Sequence, residues 1–241
     1  MSFPGRGVFI TGTGTDVGKT VAAAAVLAAL RSAGIDGVPM KPVQTGGVWR
    51  GGVLASADLE FCLRMAGLQA AGDEAHAMAP YVFEPACSPH LAASRTGREI
   101  SFDRIAGAFE TLSAAHHCVV VEGAGGLLAP VSEDSTMLDL MARLRLPVIV
   151  VASPGLGTIN HTLLSLREIG RAGLPVLGVI FCETKNGPWG EIEEDNWKTI
   201  ERMGKTRVLG RVPFMEGLAE GRVSPEEFRR VAVRHLSLTW T

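Results

Sequence analysis

Gly12-Thr13-Gly14-Thr15-Asp16-Val17-Gly18-Lys19-Thr20 is the stretch that decides the fold. It follows a short apolar, strand-like run at 7–11 and opens an Ala-rich helical pattern at 18–32. A strand, a glycine-rich turn ending in Gly-Lys-Thr and a helix together form the context of a phosphate-binding loop. The glycines let backbone N–H groups point inward at phosphate oxygens, and the helix N-terminus adds roughly half a positive charge there. Lys19 then reaches the β- and γ-phosphates, and the Thr20 hydroxyl is placed to ligate Mg2+. The loop is a variant. The usual spacing puts a glycine where Thr13 stands, and this chain has it one residue earlier, at Gly12.

Outward from the loop the same rhythm continues. Strand-like runs at 37–40, 118–121, 147–152, 176–182 and 207–210 alternate with helical patterns at 56–65, 102–116, 137–144, 159–172, 192–203 and 226–236. The runs at 119–121 and 148–151 are apolar throughout, as in strands covered on both faces. This order predicts an α/β fold: a single doubly wound, mainly parallel sheet with helices on both faces, of the P-loop NTPase type. Residues 1–241 are read as one domain, long enough to bury roughly 70–75% of its unfolded surface. The stretch 46–101 breaks the rhythm and is read as an insertion on that domain.

Hydrophobic residues make up 46% of the chain and charged residues 20%, which excludes disorder as the dominant state. Lys plus Arg number 23 against 25 Asp plus Glu. That balance argues against binding nucleic acid by bulk charge. Cys62, Cys87, Cys118 and Cys182 form no CxxC pair and read as reduced thiols. Residues 1–7 hold no secretory apolar region, and the longest apolar run, 21–30, is too short to span a bilayer. A cytoplasmic protein with no membrane partner is expected. The six histidines show no metal-ligand spacing, and His116 and His117 read as partners of a helix C-terminal dipole. Glu191, Glu193, Glu194 and Asp195 read as an acidic helix start. Trp49, Trp189, Trp197 and Trp240 are scattered and suggest no stacking platform for single strands.

Ligands of an open parallel sheet bind outside the carboxyl ends of its strands. After the second run comes Lys41-Pro42-Val43-Gln44-Thr45-Gly46, and after the third Glu122-Gly123-Ala124-Gly125-Gly126. After the fourth comes Ser153-Pro154-Gly155-Leu156-Gly157-Thr158-Ile159-Asn160-His161, after the fifth Cys182-Glu183, and after the sixth Val212-Pro213. Polar residues and glycines thus gather at one edge. Glu122 stands where a Walker-B-type acid would stand. Pro42 keeps Lys41 extended and fixes its exit from the strand. Asp58 reads either as a helix-start residue or, with Thr20 and Glu122, as a Mg2+ ligand. Asn160 reads either as a helix cap or as part of a carboxylate site at the helix start.

Taken together, Phe9-Ile10-Thr11-Gly12-Thr13, Val17-Gly18-Lys19-Thr20, Lys41-Pro42-Val43-Gln44-Thr45-Gly46, Ser88-Pro89-His90, Val121-Glu122-Gly123-Ala124-Gly125-Gly126 and Gly155-Leu156-Gly157-Thr158-Ile159-Asn160-His161 resemble the dethiobiotin synthetase family. The resemblance is collinear over about residues 8–214. It implies an ATP-dependent cyclo-ligase that joins CO2 to 7,8-diaminononanoate, through a carbamate and a carbamic-phosphoric anhydride, giving dethiobiotin, ADP and phosphate. Lys41, Lys19 and Thr15 would be catalytic, and Thr20, Asp58 and Glu122 would hold Mg2+. Nucleotide contacts would come from Gly14, Thr15, Asp16, Val17, Gly18, Lys19, Thr20, Val21, Glu122, Gly125, Cys182, Glu183, Val212, Pro213 and Phe214. Substrate contacts would come from Lys41, Thr45, Gly123, Ala124 and Gly125, with Gly157, Thr158, Ile159 and Asn160 serving the neighbouring subunit of a homodimer. The backbone amides following Glu122 would help seat the carbamate. The chain departs from the family at Cys182-Glu183, where Asn-Asp commonly reads adenine, and at Asp16, where Glu is usual.

Two rivals share the loop. A cobyrinate-type synthetase needs a further glutaminase domain, for which 241 residues leave no room. A deviant-Walker partition or switch ATPase carries a signature lysine early in the loop, and residues 13–16 contain none. Such a switch would also use a basic C-terminal helix. The pattern at 226–236, with Phe228, Val231, Ala232, His235 and Leu236 on one face, reads instead as docked on its own domain or on a dimer.

Overall fold

Phe9 packs into one hydrophobic core, while its neighbours Val8 and Ile10 pack into another. The same alternation divides Val119 and Val121 from Val120, and Val148 and Val150 from Ile149 and Val151. Successive side chains of a strand point to opposite faces, so a sheet with two apolar faces needs helices on both. The computed structural model describes residues 5–70 and 72–238. Its elements in chain order are β1 (Gly7–Gly12), α1 (Lys19–Ser32), β2 (Gly37–Met40), β3 (Val43–Gln44), β4 (Val48–Arg50), β5 (Val53–Ala55), α2 (Ala57–Ala66), α3 (Gly72–Met78), β6 (Tyr81–Val82), α4 (Pro89–Arg95), α5 (Phe102–Ala115), β7 (Cys118–Glu122), α6 (Met137–Leu144), β8 (Val148–Ala152), α7 (Thr158–Arg171), β9 (Val176–Cys182), α8 (Glu191–Gly204), β10 (Val208–Val212) and α9 (Pro225–His235).

Six strands form one sheet in the order β10-β9-β8-β1-β7-β2, and every pair is parallel. Helices α1, α2 and α9 cover one face, and α5, α6, α7 and α8 cover the other. The sheet is therefore doubly wound. Strand order reverses around β1, and the loop after β1 opens into the crevice created by that reversal. Three strands run further than their apolar patterns. Gly12, Glu122 and Val212 are the last residues of β1, β7 and β10, because ladder pairing continues through Gly12 opposite Val151, Ile10 opposite Glu122 and Val212 opposite Cys182.

The stretch between β2 and α5 contains a parallel pair of β3 with β6 and an antiparallel hairpin of β4 with β5. Strands of two or three residues leave no periodicity to read. The C-terminal pattern docks on its own chain: Phe228 and Ala232 are buried in the core shared with α1 and α2, and Phe228 meets Phe61 edge-on with ring centroids 6.0 Å apart. The acidic run does open a helix, since Glu193 accepts the Gly190 N–H at 2.9 Å. Trp189 and Trp197, scattered in sequence, meet around Phe181 with centroids 5.9–6.1 Å apart. Trp240 lies outside the described residues. The four cysteines are free. Among the described residues no helix is long and apolar enough to cross a membrane.

One expectation is corrected at the end of α5. His116 follows the helix in extended backbone (φ −127°, ψ 153°), and its ring bridges Asp36 Oδ2 and Glu74 Oε1, each at 2.9 Å. Its partners are carboxylates brought from residues 80 and 42 positions away, a stronger attraction than the dipole of its own helix. Burial alone would lower its pKa, but the two carboxylates outweigh burial and raise it. The stabilisation is therefore complete below the ordinary value of about 6.5 and is lost as pH rises through the higher folded value. Urea unfolding of the unsubstituted chain and of His116→Gln should differ by about 1 kcal/mol at pH 6, with the half-exposed carboxylates discounted for screening. The difference should vanish at high pH. An equal difference at both ends of the range would mean that the bridge is not ionic.

Candidate active site

The turn after β1 is shaped by what lies behind it. A Cβ on Gly12 would press on Val17 Cγ2 at 2.7 Å and on the Lys19 stem at 3.0 Å. Gly18 has φ 90°, and a Cβ there would collide with Cys182 Sγ. Glycine is thus required at both positions, and the shifted spacing seen in the sequence follows from the packing of Val17 and Lys19 under the end of β1. Lys19 begins α1 almost fully buried, and its Nζ donates to the Gly14 carbonyl at 2.6 Å. Burial, and after it the charge of Lys41, bring the Lys19 pKa down to about 8.

Lys41 leaves the end of β2 with its backbone N–H donated to the Met78 carbonyl at the end of α3, 2.7 Å away. Its side chain is buried. Nζ lies 2.6 Å from Asp58 Oδ2, 2.6 Å from Glu122 Oε1 and 3.3 Å from the Gly123 carbonyl. Burial favours the neutral amine, but Glu122 and Asp58 outweigh it and hold the Lys41 pKa above its ordinary value. Glu122, at the end of β7, also accepts the Thr20 hydroxyl proton at 2.8 Å. Asp58 owes its position to Ser56, the N-cap of α2. The Ser56 hydroxyl accepts the Leu59 N–H at 3.1 Å and donates to Gln44 Oε1 at 2.6 Å, which ties the first turn of α2 to β3. Asp58 thus stands in the first turn of a helix and is at the same time paired with Lys41.

Thr20, Asp58 and Glu122 form a set of hard oxygen donors, the chemistry that suits Mg2+. Among the described residues no group of three or more His, Cys, Asp or Glu gathers around a metal position. The remaining ligands of a divalent ion would be phosphate and water oxygens, which is how Mg2+ is usually held. A cavity of about 780 Å³ opens over this cluster. It is lined by Thr15, Asp16, Gly18, Lys19, Thr20, Val21, Lys41, Thr45, Asp58, Glu122, Ala124 and Gly125, all expected from the sequence.

Other expected residues lie elsewhere. The Gly123 N–H donates to the Ile10 carbonyl at 3.0 Å and is committed to the sheet, so Gly123 meets the site only through its carbonyl on Lys41. Cys182 is buried beneath Gly18, and burial pushes its thiol up to about 12. Glu183 pairs with Arg211 at 3.0 Å and accepts the Phe214 N–H at 3.4 Å, beyond the buried Val212 and the following Pro213. Gly157, with φ 90°, is the N-cap of α7, which overturns the reading of Asn160 as a cap. Asn160 is exposed in the first turn of the helix, and Leu156, just before the N-cap, is fully exposed. The sequence reading missed the opposite wall of the cavity, Ala86, Cys87, Ser88 and Pro89. Ser88-Pro89-His90 was the available signal, since a Ser-Pro pair opens a helix, here α4. The reading also missed the Gln44–Ser56 contact, which joins two residues of no distinctive chemistry.

A family model described as an AAA domain matches residues 6–222. The ATP-dependent dethiobiotin synthetase of Anaeromyxobacter dehalogenans strain 2CP-C is 45% identical over 219 residues, covering 89% of this chain and 92% of its own. That of Anoxybacillus flavithermus is 36% identical over 222 residues, covering 90% and 96%. Among solved structures, the MinC:MinD cell division complex of Aquifex aeolicus aligns with TM-score 0.57 at 13% identity, covering 94% of each chain. A ParA family ATPase of Chlorobium tepidum aligns with TM-score 0.56 at 15% identity, covering 95% and 98%. Those two share the P-loop fold alone, whereas the likeness to the synthetases runs through the sequence from end to end of the matched region. The chain belongs to the family of ATP-dependent dethiobiotin synthetases.

Proposed function

We propose that this chain carries out the reaction its relatives are named for, closing the ureido ring of dethiobiotin from 7,8-diaminononanoate and CO2 with ATP, as a cyclo-ligase. The observation that carries the reading is the meeting of Lys19, Lys41, Asp58, Glu122 and Thr20 at the floor of one cavity, with Thr15 and Thr45 on its walls. One amine of the diamine takes up CO2 and loses a proton, giving a carbamate. The carbamate oxygen attacks the γ-phosphorus and ADP leaves. The second amine attacks the carbonyl carbon of the mixed anhydride and phosphate leaves, closing the ring. Phosphoryl transfer asks for little covalent chemistry from the protein; it needs alignment and neutralised charge. Lys19 and Lys41 supply two cations where carbamate and γ-phosphate crowd their negative charges. Thr15 and Thr45 offer hydroxyls to the carbamate and amines. Thr20, Asp58 and Glu122 would hold Mg2+, which would supply positive charge to offset that of the phosphates.

The carboxylate of the substrate is assigned to the start of α7 in a second copy of the chain, which makes the working unit a homodimer. The positive N-terminal end of that 14-residue helix suits an anion, and Leu156 offers apolar surface to the partner. Ser56→Ala should raise the Mg2+ concentration needed for half-maximal turnover by about tenfold, the equivalent of one lost helix cap. The KM for the diamine should change little. An unchanged Mg2+ titration would mean that the cap does not position Asp58.

The test of the function is ADP release from Mg2+-ATP and bicarbonate with and without 7,8-diaminononanoate, with the product identified by mass spectrometry. Diamine-dependent ADP together with dethiobiotin is the expected result. ADP formed at one rate with or without the diamine would overturn the reading and favour a switch ATPase.

A further inference from the structure

The oxygens best suited to a divalent ion are held by a cation of the chain itself. Lys41 Nζ sits 2.6 Å from Asp58 Oδ2 and 2.6 Å from Glu122 Oε1, and the second of these oxygens also takes the Thr20 hydroxyl proton. Lys41 and Glu122 are both nearly excluded from water. With Lys19 on the same cavity floor, two lysines face the two acidic side chains. An ammonium and a divalent cation compete for these oxygens, because two cations close together repel in so buried a place.

We infer that Lys41 is the built-in counter-ion of the metal site, displaced from Asp58 and Glu122 when a divalent metal arrives and thereby delivered to the phosphoryl group. The inference rests on the metal set proposed above and goes beyond it. Lys41 is anchored by its backbone to Met78, so only the long, flexible side chain has to move. It lines the same cavity as Lys19 and Thr45, so a released ammonium stays in the reaction space. Metal alone must expel a well-paired ammonium that has no anion to receive it. Metal with a nucleoside triphosphate brings that anion. Metal and nucleotide therefore bind cooperatively, and the lysine reaches the reacting phosphate only after the metal is in place.

The test uses Mn2+ as the probe, with free ion counted by electron paramagnetic resonance and neither nucleotide nor diamine present. The unsubstituted chain should bind Mn2+ weakly. Lys41→Met should bind it about tenfold tighter, since the competing cation is gone and two carboxylates are left to be compensated. Adding Asp58→Asn to Lys41→Met should cancel the gain. Lys41→Met binding Mn2+ no tighter than the unsubstituted chain would overturn the inference. If that variant does not fold, crystal structures of the unsubstituted chain, one metal-free and one with Mg2+ and a non-hydrolysable ATP analogue, decide the matter. Lys41 Nζ should lie within salt-bridge distance of both carboxylates in the first and of neither in the second. A lysine that keeps both partners beside a bound metal refutes the exchange. Because no diamine enters either measurement, failure of the dethiobiotin assay and failure of this inference are separate results.

Discussion

Lys41→Ala is expected to lower kcat/KM by about a hundredfold to a thousandfold, the cost of removing one charge partner from a phosphoryl- or acyl-transfer transition state. Negative charge is greatest when the carbamate oxygen and the γ-phosphorus approach each other, so the loss should fall on kcat. The KM for ATP should change less, because the loop amides, Lys19 and the start of α1 still hold the phosphates. Steady-state kinetics at saturating Mg2+ make the measurement. Excess metal also compensates the two carboxylates that the substitution leaves without a partner. Near-normal turnover would remove Lys41 from the chemistry and leave it a structural counter-ion only.

Glu122→Gln is expected to lower the unfolding free energy by about 2–4 kcal/mol, because a buried lysine loses its better-buried partner. Glutamine keeps the shape and still accepts from Thr20 and Lys41, so the loss isolates charge from packing. Asp58 remains beside Lys41 but is partly exposed, with 30% of its side-chain surface accessible, and compensates only in part. Replacing both members of a buried pair is far milder than removing one. Lys41→Met combined with Glu122→Gln should therefore regain most of the lost stability while remaining inactive. Urea midpoints multiplied by their slopes give the cycle. A double variant as unstable as the single one would show that the ion pair is not the origin of the loss.

Several expectations depended on local pattern and several could not. The loop at 12–20 is legible because its chemistry lies in consecutive residues and its context is a strand and a helix on either side. The parallel sheet is legible because strands covered on both faces must be apolar throughout, as 119–121 and 148–151 are. The cap reading of Asn160 and the dipole reading of His116 rest on their nearest neighbours, and the structure overturns both. Gly157, three residues before Asn160, takes the cap position with a positive φ that asparagine did not have to supply. His116 is captured by Asp36 and Glu74, which no helical or strand period connects to it.

The sequence by itself determined the architecture, the phosphate loop, the family resemblance and the short roster of charged residues at the strand ends. These properties are carried by residues adjacent or periodic along the chain, where backbone geometry sets the spacing. Only the tertiary structure decided how that roster is wired. Lys41 meets Asp58 across 17 positions and Glu122 across 81, Gln44 reaches Ser56 over a stretch with no readable period, and Cys182 becomes the floor beneath Gly18 rather than a contact at the cavity. Such pairings arise from the order in which the strands are laid beside one another. Strand order is a long-range outcome of packing that local spacing does not encode.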